Sequence, residues 1–181
     1  QHQFEKVELV QLVRPLAHPD AELEPDLPEG YRLAPVTPAD FPGVATTIAA
    51  AFGTPVKELA TYEGLFADPF LREDLVLAVH GPTEEPAACV FAWYDPASHT
   101  GHVEPLAVHP DHQRRGLARA LLVEALARLQ RRGARSAGLL VLMGNAGARA
   151  LYDQLGFGLR CVDRDWTKPL RPRPSPPPDS P

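Results

Sequence analysis

Pro110-Asp111-His112-Gln113-Arg114-Arg115-Gly116 is a tight, cation-bearing loop that runs straight into a long amphipathic stretch. A loop feeding a helix N-terminus leaves backbone N–H groups without intrahelical acceptors. The helix dipole adds partial positive charge there, so such a junction attracts anions. Gly116 has no side chain to hold a phosphate away from the backbone, and Ala118 is small where the helix must pack close to ligand or sheet. Arg114, Arg115 and Arg119 add positive charge at the loop end. The preferred ligand is a pyrophosphate. Two other phosphate binders are disfavoured. No GxxxxGK(S/T) run exists, and Gly144-Asn145-Ala146-Gly147 lacks the middle glycine of a dinucleotide GxGxxG. Nucleotide hydrolases and nicotinamide enzymes therefore fit poorly.

These residues need a scaffold, and hydropathy patterning outlines one. Period-two alternation over 4–14 predicts a strand, followed by a Pro- and acid-rich linker over roughly 15–30. Tyr31 to Val36 reads as a short strand. Thr37 is an N-cap candidate with Pro38 at the first helical position, and the helix continues to about Phe52. Residues 55–72 are helical in part. Strands over 75–80 and 87–94 form an antiparallel hairpin around the turn 81–86, and a third strand covers 102–109. The helix over about 115–131 buries a stripe of Ala118, Leu121, Leu122, Ala125, Leu126 and Leu129. A strand over 138–143, a helix over 146–155 and a last strand from 157 to about 168 complete the chain. Seven prolines in 169–181 predict a disordered or extended tail. The alternating second half implies parallel pairing with right-handed crossovers.

Two linked motifs now carry a resemblance. Gln113-Arg114-Arg115-Gly116-Leu117-Ala118 matches the (Q/R)-x-x-G-x-(G/A) loop of the GNAT acetyltransferase superfamily. It follows Glu104-Pro105-Leu106-Ala107-Val108-His109-Pro110, which looks like that family's fourth strand. About thirty residues after the loop, Asn145 to Phe157 resembles its N-x-x-A-x-x-L-Y-x-x-x-G-F signature, with Ala148 in the alanine position and Tyr152 in the tyrosine position. The resemblance covers about residues 30–168. It implies an α/β, GNAT-like acyl-CoA N-acyltransferase fold: a central mixed, twisted sheet flanked by helices, with splayed central strands. On this reading 1–14 is an extra N-terminal strand, 15–29 the linker, 30–168 the acetyltransferase domain and 169–181 the tail. Only one strand follows Phe157 where many relatives have two. The extra strand could complete the sheet in this chain or in a neighbouring one, or derive from a preceding domain.

The resemblance also implies a mechanism. Acetyl-CoA is the co-substrate, with no metal. The backbone of Leu106, Ala107 and Val108 would bind pantetheine amides as an added strand would. The N–H groups of Gln113, Arg114, Arg115, Gly116, Leu117 and Ala118 would hold the pyrophosphate, with His112 touching a phosphate. Asn145 would contact the pantetheine arm, and Arg149 completes the cofactor-binding set. The thioester would lie between the strands over 102–109 and 138–143, where Pro105 suggests a bulge or opening. An amine must lose a proton to attack, so a general base is required. Glu104 stands where the family often places it, and Tyr152 is the candidate acid for the leaving thiolate. A backbone N–H of Val108 or Leu106 would polarise the carbonyl.

Blander roles compete. Glu104 could be a surface carboxylate, Tyr152 a core aromatic, and Asn145 a helix cap, a role compatible with ligand contact. His102, His109 and His112 read as turn or edge residues rather than catalysts. Phe52, Phe66, Trp93 and Tyr94 read as core residues, some of which could line an acceptor cleft.

Composition narrows the remaining classes. The net charge of −5 equals that of residues 15–30 alone, which hold five acids and no Lys or Arg, so overall acidity says little about substrate. Residues 100–135 carry seven arginines against three acids. Those arginines lack interleaved aromatics, and their helix is committed to the core, so a nucleic-acid partner is not expected. No apolar run reaches the ~18 residues of a membrane span, and no signal peptide is visible at the start. Two cysteines without ligand spacing suggest a reducing, cytoplasmic setting and no metal. The expected partner is a small-molecule or peptide amine acceptor, and a homodimer is compatible with the resemblance. A non-catalytic acyl-CoA-binding regulatory or interaction module is the alternative. The acceptor stays open among small amines, antibiotics, amino acids, protein N-termini and lysines.

Overall fold

The computed structural model describes residues 5–16, 24–68 and 71–167. Parts of the predicted linker, and the predicted tail over 169–181, lie outside them. Among the described residues seven strands form one sheet: β1 (Glu5–Pro15), β2 (Arg32–Pro35), β3 (Leu71–His80), β4 (Pro86–Asp95), β5 (Thr100–Val108), β6 (Ser136–Leu142) and β7 (Gly158–Thr167). Four α-helices accompany them: α1 (Phe41–Phe52), α2 (Leu59–Phe66), α3 (Leu117–Arg131) and α4 (Ala146–Gln154). The sheet order is β2-β3-β4-β5-β6-β1-β7. β2 to β5 form an antiparallel meander, β5 and β6 pair in parallel, and β1 runs antiparallel between β6 and β7.

The insertion of β1 resolves how the sheet is completed in this chain. Val10 and Leu12 point to the buried face beside Val141 and Leu139 of β6, as strand alternation requires. Leu9, Gln11 and Val13 therefore point to the opposite face. Each strand in the middle of a sheet has ladder partners on both sides, so β1 ties β7 to the rest of the molecule.

Two apolar clusters sandwich the sheet. One joins α3 and α4 to β1, β3, β4 and β6, and the other joins α1 and α2 to β3 and β4. The α3 stripe is wider than the periodicity predicts: Leu117, Ala120 and Val123 are buried with Leu121, Leu122, Ala125, Leu126 and Leu129. Each fully buried leucine of this kind contributes about 1.5–3 kcal/mol relative to exposure. Ala118 departs from the predicted stripe. It is only half-buried, because the first turn of α3 faces a cleft rather than the core. Gly101 permits the close approach of α3 to β5, since a Cβ there would stand 2.6 Å from Leu129 Cδ1.

Several boundaries shift for local reasons. The predicted start of the helix at 115 moves to Leu117, because Gly116 takes a left-handed conformation (φ 81°) that serves as the cap. At Thr37, the predicted N-cap, a 3-10 turn over Pro38–Asp40 precedes α1. There the Asp40 carboxylate accepts from Thr37 N–H (2.8 Å) and Thr37 Oγ1 (2.7 Å), so Asp40 holds the cap residue. Asp40 also accepts from His80 Nε2 at 2.8 Å, fastening the start of α1 to the end of β3. Finally, β3 begins at Leu71, within the stretch expected to be partly helical.

Candidate functional site

The centre of the sheet opens. β5 pairs with β6 only from Thr100–Ser136 to His102–Gly138, and beyond that rung the two strands are not bonded. On its other side β5 follows β4, but the register shifts between Val90 and Ala92, opposite Glu104 and Pro105. The bulge inverts the strand's alternation. Val103 faces the α3 side, Ala107 faces the α1/α2 side, and Leu106 and Val108 return to the α3 side. His109 N–H donates to Ala87 O at 2.9 Å. Ladder alternation then turns the N–H and C=O groups of Leu106 and Val108 away from β4 and into the gap. The side chain of Gln113 already reaches one of them, Val108 O, at 3.5 Å.

At the C-terminal end of β5 the chain makes a 3-10 turn over Pro110–His112 and enters the arginine loop. Arg114 (φ 60°) and Gly116 (φ 81°) are both left-handed, which folds the loop back on itself. Among the described residues, the backbone N–H groups of residues 114–119 have no acceptor in the protein. Ala120 is the first amide of α3 to find one, Gly116 O at 3.0 Å. Six consecutive free amides leading into a fifteen-residue helix are the arrangement that suits an anion.

The gap and the loop share one cleft of about 600 Å³. Of the predicted binding residues, Leu106, Ala107, Val108, His112, Gln113, Arg114, Gly116, Leu117, Ala118 and Asn145 line it, as does Tyr152. Arg115 and Arg149 are exposed and lie outside the lining. Arg149 Nη1 instead donates to Met143 O at 3.2 Å, bracing the turn between β6 and α4. Asn145 caps α4. Its Oδ1 accepts from Ala148 N–H at 3.1 Å, and the residue borders the cleft. His112 Nδ1 bonds to the Tyr31 hydroxyl at 2.8 Å, and its ring separates the main cleft from a second cavity of about 380 Å³.

Sequence reasoning did not assign Ala51, Gly147 and Leu151 to this cleft, and it left Phe52 undecided; all four line it. Phe52 is 55% exposed at the end of α1. Its approach depends on how α1 lies across the sheet, for which local patterning has no signal. Arg119 lines the cleft too, in keeping with its place among the loop cations.

The two candidate proton-transfer groups occupy opposite faces of the gap. Tyr152 sits on α4, 7% exposed, with its ring 5.9 Å from that of Phe157. Its hydroxyl makes no hydrogen bond among the described residues, yet it is not sealed from the cleft. Burial, and then the negative charge of Glu104, hold the phenol above its ordinary pKa of 10.0. Tyr152 is therefore a protonated donor at neutral pH. Glu104 lies on the other face with Trp93 and His102, its side chain 57% exposed and outside the lining of the cleft. His102 Nε2 bonds to its carboxylate at 3.1 Å, and Trp93 Nε1–H donates to its main-chain O at 3.0 Å.

The cysteines take no part. Cys89 is fully buried in β4, and burial pushes its thiol up to about 12. Cys161 is exposed on β7, separated from β6 by β1 in the sheet order. Among the described residues, no helix is long and apolar enough to cross a membrane.

An open strand edge, a loop with free amides at one end and a buried tyrosine at the other meet in this one cleft. The chain belongs to the acetyltransferase (GNAT) family, whose model matches residues 44–157. It is 30% identical to the mycothiol acetyltransferase of Geodermatophilus obscurus, over 92% of this chain and 58% of that protein. It is 44% identical to the ribosomal protein bS18-alanine N-acetyltransferase of Escherichia coli K12, over 34% of this chain and 41% of that protein. The chain thus spans about half the length of the curated relatives it matches. Among solved structures, a GCN5-related N-acetyltransferase from Sphaerobacter thermophilus superimposes with a TM-score of 0.75 at 21% identity, covering 92% of this chain and 54% of that one. The E. coli S18-alanine enzyme superimposes at 0.63 and 21% identity, covering 80% and 97%. These likenesses establish the GNAT fold.

Proposed function

We propose that this chain transfers an acetyl group from acetyl-CoA to a primary amine, with residues 30–168 and β1 forming the catalytic unit. The observation that carries the reading is the single cleft joining six free amides, the unpaired edge of β5 and the Tyr152 hydroxyl. The amides of 114–119 suit a pyrophosphate, and the edge groups of Leu106 and Val108 suit the amides of a pantetheine arm.

In the reaction the amine nitrogen attacks the thioester carbonyl carbon from the Glu104 side. Glu104 takes the proton that the nitrogen loses. The N–H of Leu106 or Val108 donates to the carbonyl oxygen as charge builds on it. The C–S bond then breaks, and the leaving sulfur takes the Tyr152 proton. The products are an amide and free CoA, and both side chains recover their protonation states by exchange with water. Burial of Tyr152 favours its neutral form, which is the form that this step needs.

The relatives suggest two acceptors to try first: a peptide beginning with alanine, and the amine precursor of mycothiol. Calorimetric titration with acetyl-CoA, using NAD and ATP as controls, tests the binding half. Micromolar affinity for acetyl-CoA alone is expected, followed by amine-dependent release of free thiol. Binding without turnover across a broad amine panel would instead favour a non-catalytic acyl-CoA module.

A further inference from the structure

Glu104 has a problem of position. Its carboxylate is largely in water, on a stretch of β5 that has lost its β6 partner and carries a bulge. An unrestrained glutamate there would sample many rotamers, and only a fraction would face the gap. Ordering such a side chain costs rotamer entropy. Two neighbours oppose that freedom. His102, two residues earlier on the same face, holds carboxylate oxygen Oε2 through Nε2 at 3.1 Å. Trp93, directly across β4 from His102, donates to the Glu104 carbonyl at 3.0 Å.

His102 is well placed to act as an anchor. It forms the last rung on which β5 is paired on both sides, with Trp93 of β4 and Gly138 of β6. The backbone is thus held on both sides at His102 and by β4 alone immediately after it. The half-exposed imidazole spans the boundary and engages one carboxylate oxygen, which leaves Oε1 free for a proton.

We infer that His102 is a positioning residue that orients the Glu104 carboxylate for proton abstraction, with Trp93 fixing the bulged strand beneath it. The inference rests on the proposed base role of Glu104 and assigns His102 no direct contact with substrate.

The test is a double-mutant cycle on the purified chain, with the best amine of the panel. His102→Ala is expected to lower kcat about tenfold while leaving the KM for acetyl-CoA unchanged, because only orientation at the reacting centre is lost. His102→Gln retains an N–H donor and should recover part of the loss. His102→Ala placed on Glu104→Gln should cost little more than Glu104→Gln alone, since residues acting as a unit are not additive. Thermal melting of each variant separates loss of orientation from loss of fold. The inference is overturned if Glu104→Gln cripples turnover while His102→Ala stays within about twofold of the parent, or if the two losses multiply. If Glu104→Gln leaves kcat intact, the base assignment falls first and takes this inference with it.

Discussion

At its proposed phosphate end the cleft is made of backbone: the amides of 114–119, oriented by two left-handed residues and the first turn of α3. Where the proposed chemistry would occur, side chains decide: Tyr152 of α4 lines the cleft, and Glu104 and His102 of β5 with Trp93 of β4 stand on the other face of the gap. The difference is one of tolerance. An amide keeps its dipole whatever residue carries it, so the first end responds to changes in conformation more than to changes in charge. A carboxylate or a phenol has no substitute of equal chemistry, so the second end responds to single functional groups.

That contrast is open to direct attack. The largest effect expected is at the chemical end. Glu104→Gln should lower kcat/KM for the amine by roughly 100-fold or more, the usual scale of a lost general base. The Kd for acetyl-CoA should stay the same, because the phosphate loop is untouched. A comparable loss of acetyl-CoA affinity would collapse the distinction between the two ends. The next effect should be at the loop, and it should follow conformation. Gly116→Val forces a β-branched residue into φ 81°, a strain of about 1–2 kcal/mol that the free loop relieves by refolding. Acetyl-CoA should then bind about tenfold more weakly. Arg114→Ala removes a whole charge at a half-wrapped site and should cost less, about threefold, and less still at high salt. If Arg114→Ala proves the more damaging of the two, the loop works through its guanidinium groups and the backbone account is wrong.

The two ends also differed in how far they could be read in advance. The proposed phosphate end is contiguous in sequence, and its device is local: a turn, a glycine and a helix start. That loop and helix start were therefore legible in Gln113 to Ala118. The element order was readable for the same reason, since alternation over β1, β4 and β5 and the stripe of α3 are local patterns. The chemical end draws on segments up to 59 positions apart, from Trp93 to Tyr152. Glu104 and Tyr152 were reached through motif resemblance. The His102–Glu104 bond and the Trp93 contact depend on a register shift between β4 and β5, which no pattern encodes. Arg149 lies outside the cleft lining. It stands inside the motif, yet its guanidinium turns back to the Met143 carbonyl because that acceptor is six residues away on the same turn. The place of β1 was likewise a question of topology. Alternation showed a strand, while its neighbours depended on where β7 could find a partner.

A third class of change should touch neither end, and Asp40 provides it. Its carboxylate secures the cap of the 3-10 turn and the end of β3 through Thr37 and His80, and α1 carries Phe52 to the cleft from there. Burial alone would raise the Asp40 pKa, but the bonds from His80 and Thr37 outweigh it and hold the group below its ordinary 3.8. A carboxyl whose pKa is lower folded than unfolded stabilises the fold above the unfolded value and loses that contribution as pH falls through the folded one. Asp40→Asn should therefore cost about 1 kcal/mol at neutral pH, the scale of a lost cap. That corresponds to roughly 2–4 °C in Tm for a chain of this size. Below about pH 4 the parent loses the same advantage, so the two melting curves should converge. Acetyl-CoA affinity and kcat at neutral pH should match the parent's, because the cap supports α1 without bordering the reacting atoms. A gap in Tm that widens in acid would show that the carboxyl is raised by its burial rather than lowered by its partners. A fall in kcat without a fall in Tm would place Asp40 in the functional cleft and end its standing as pure scaffold.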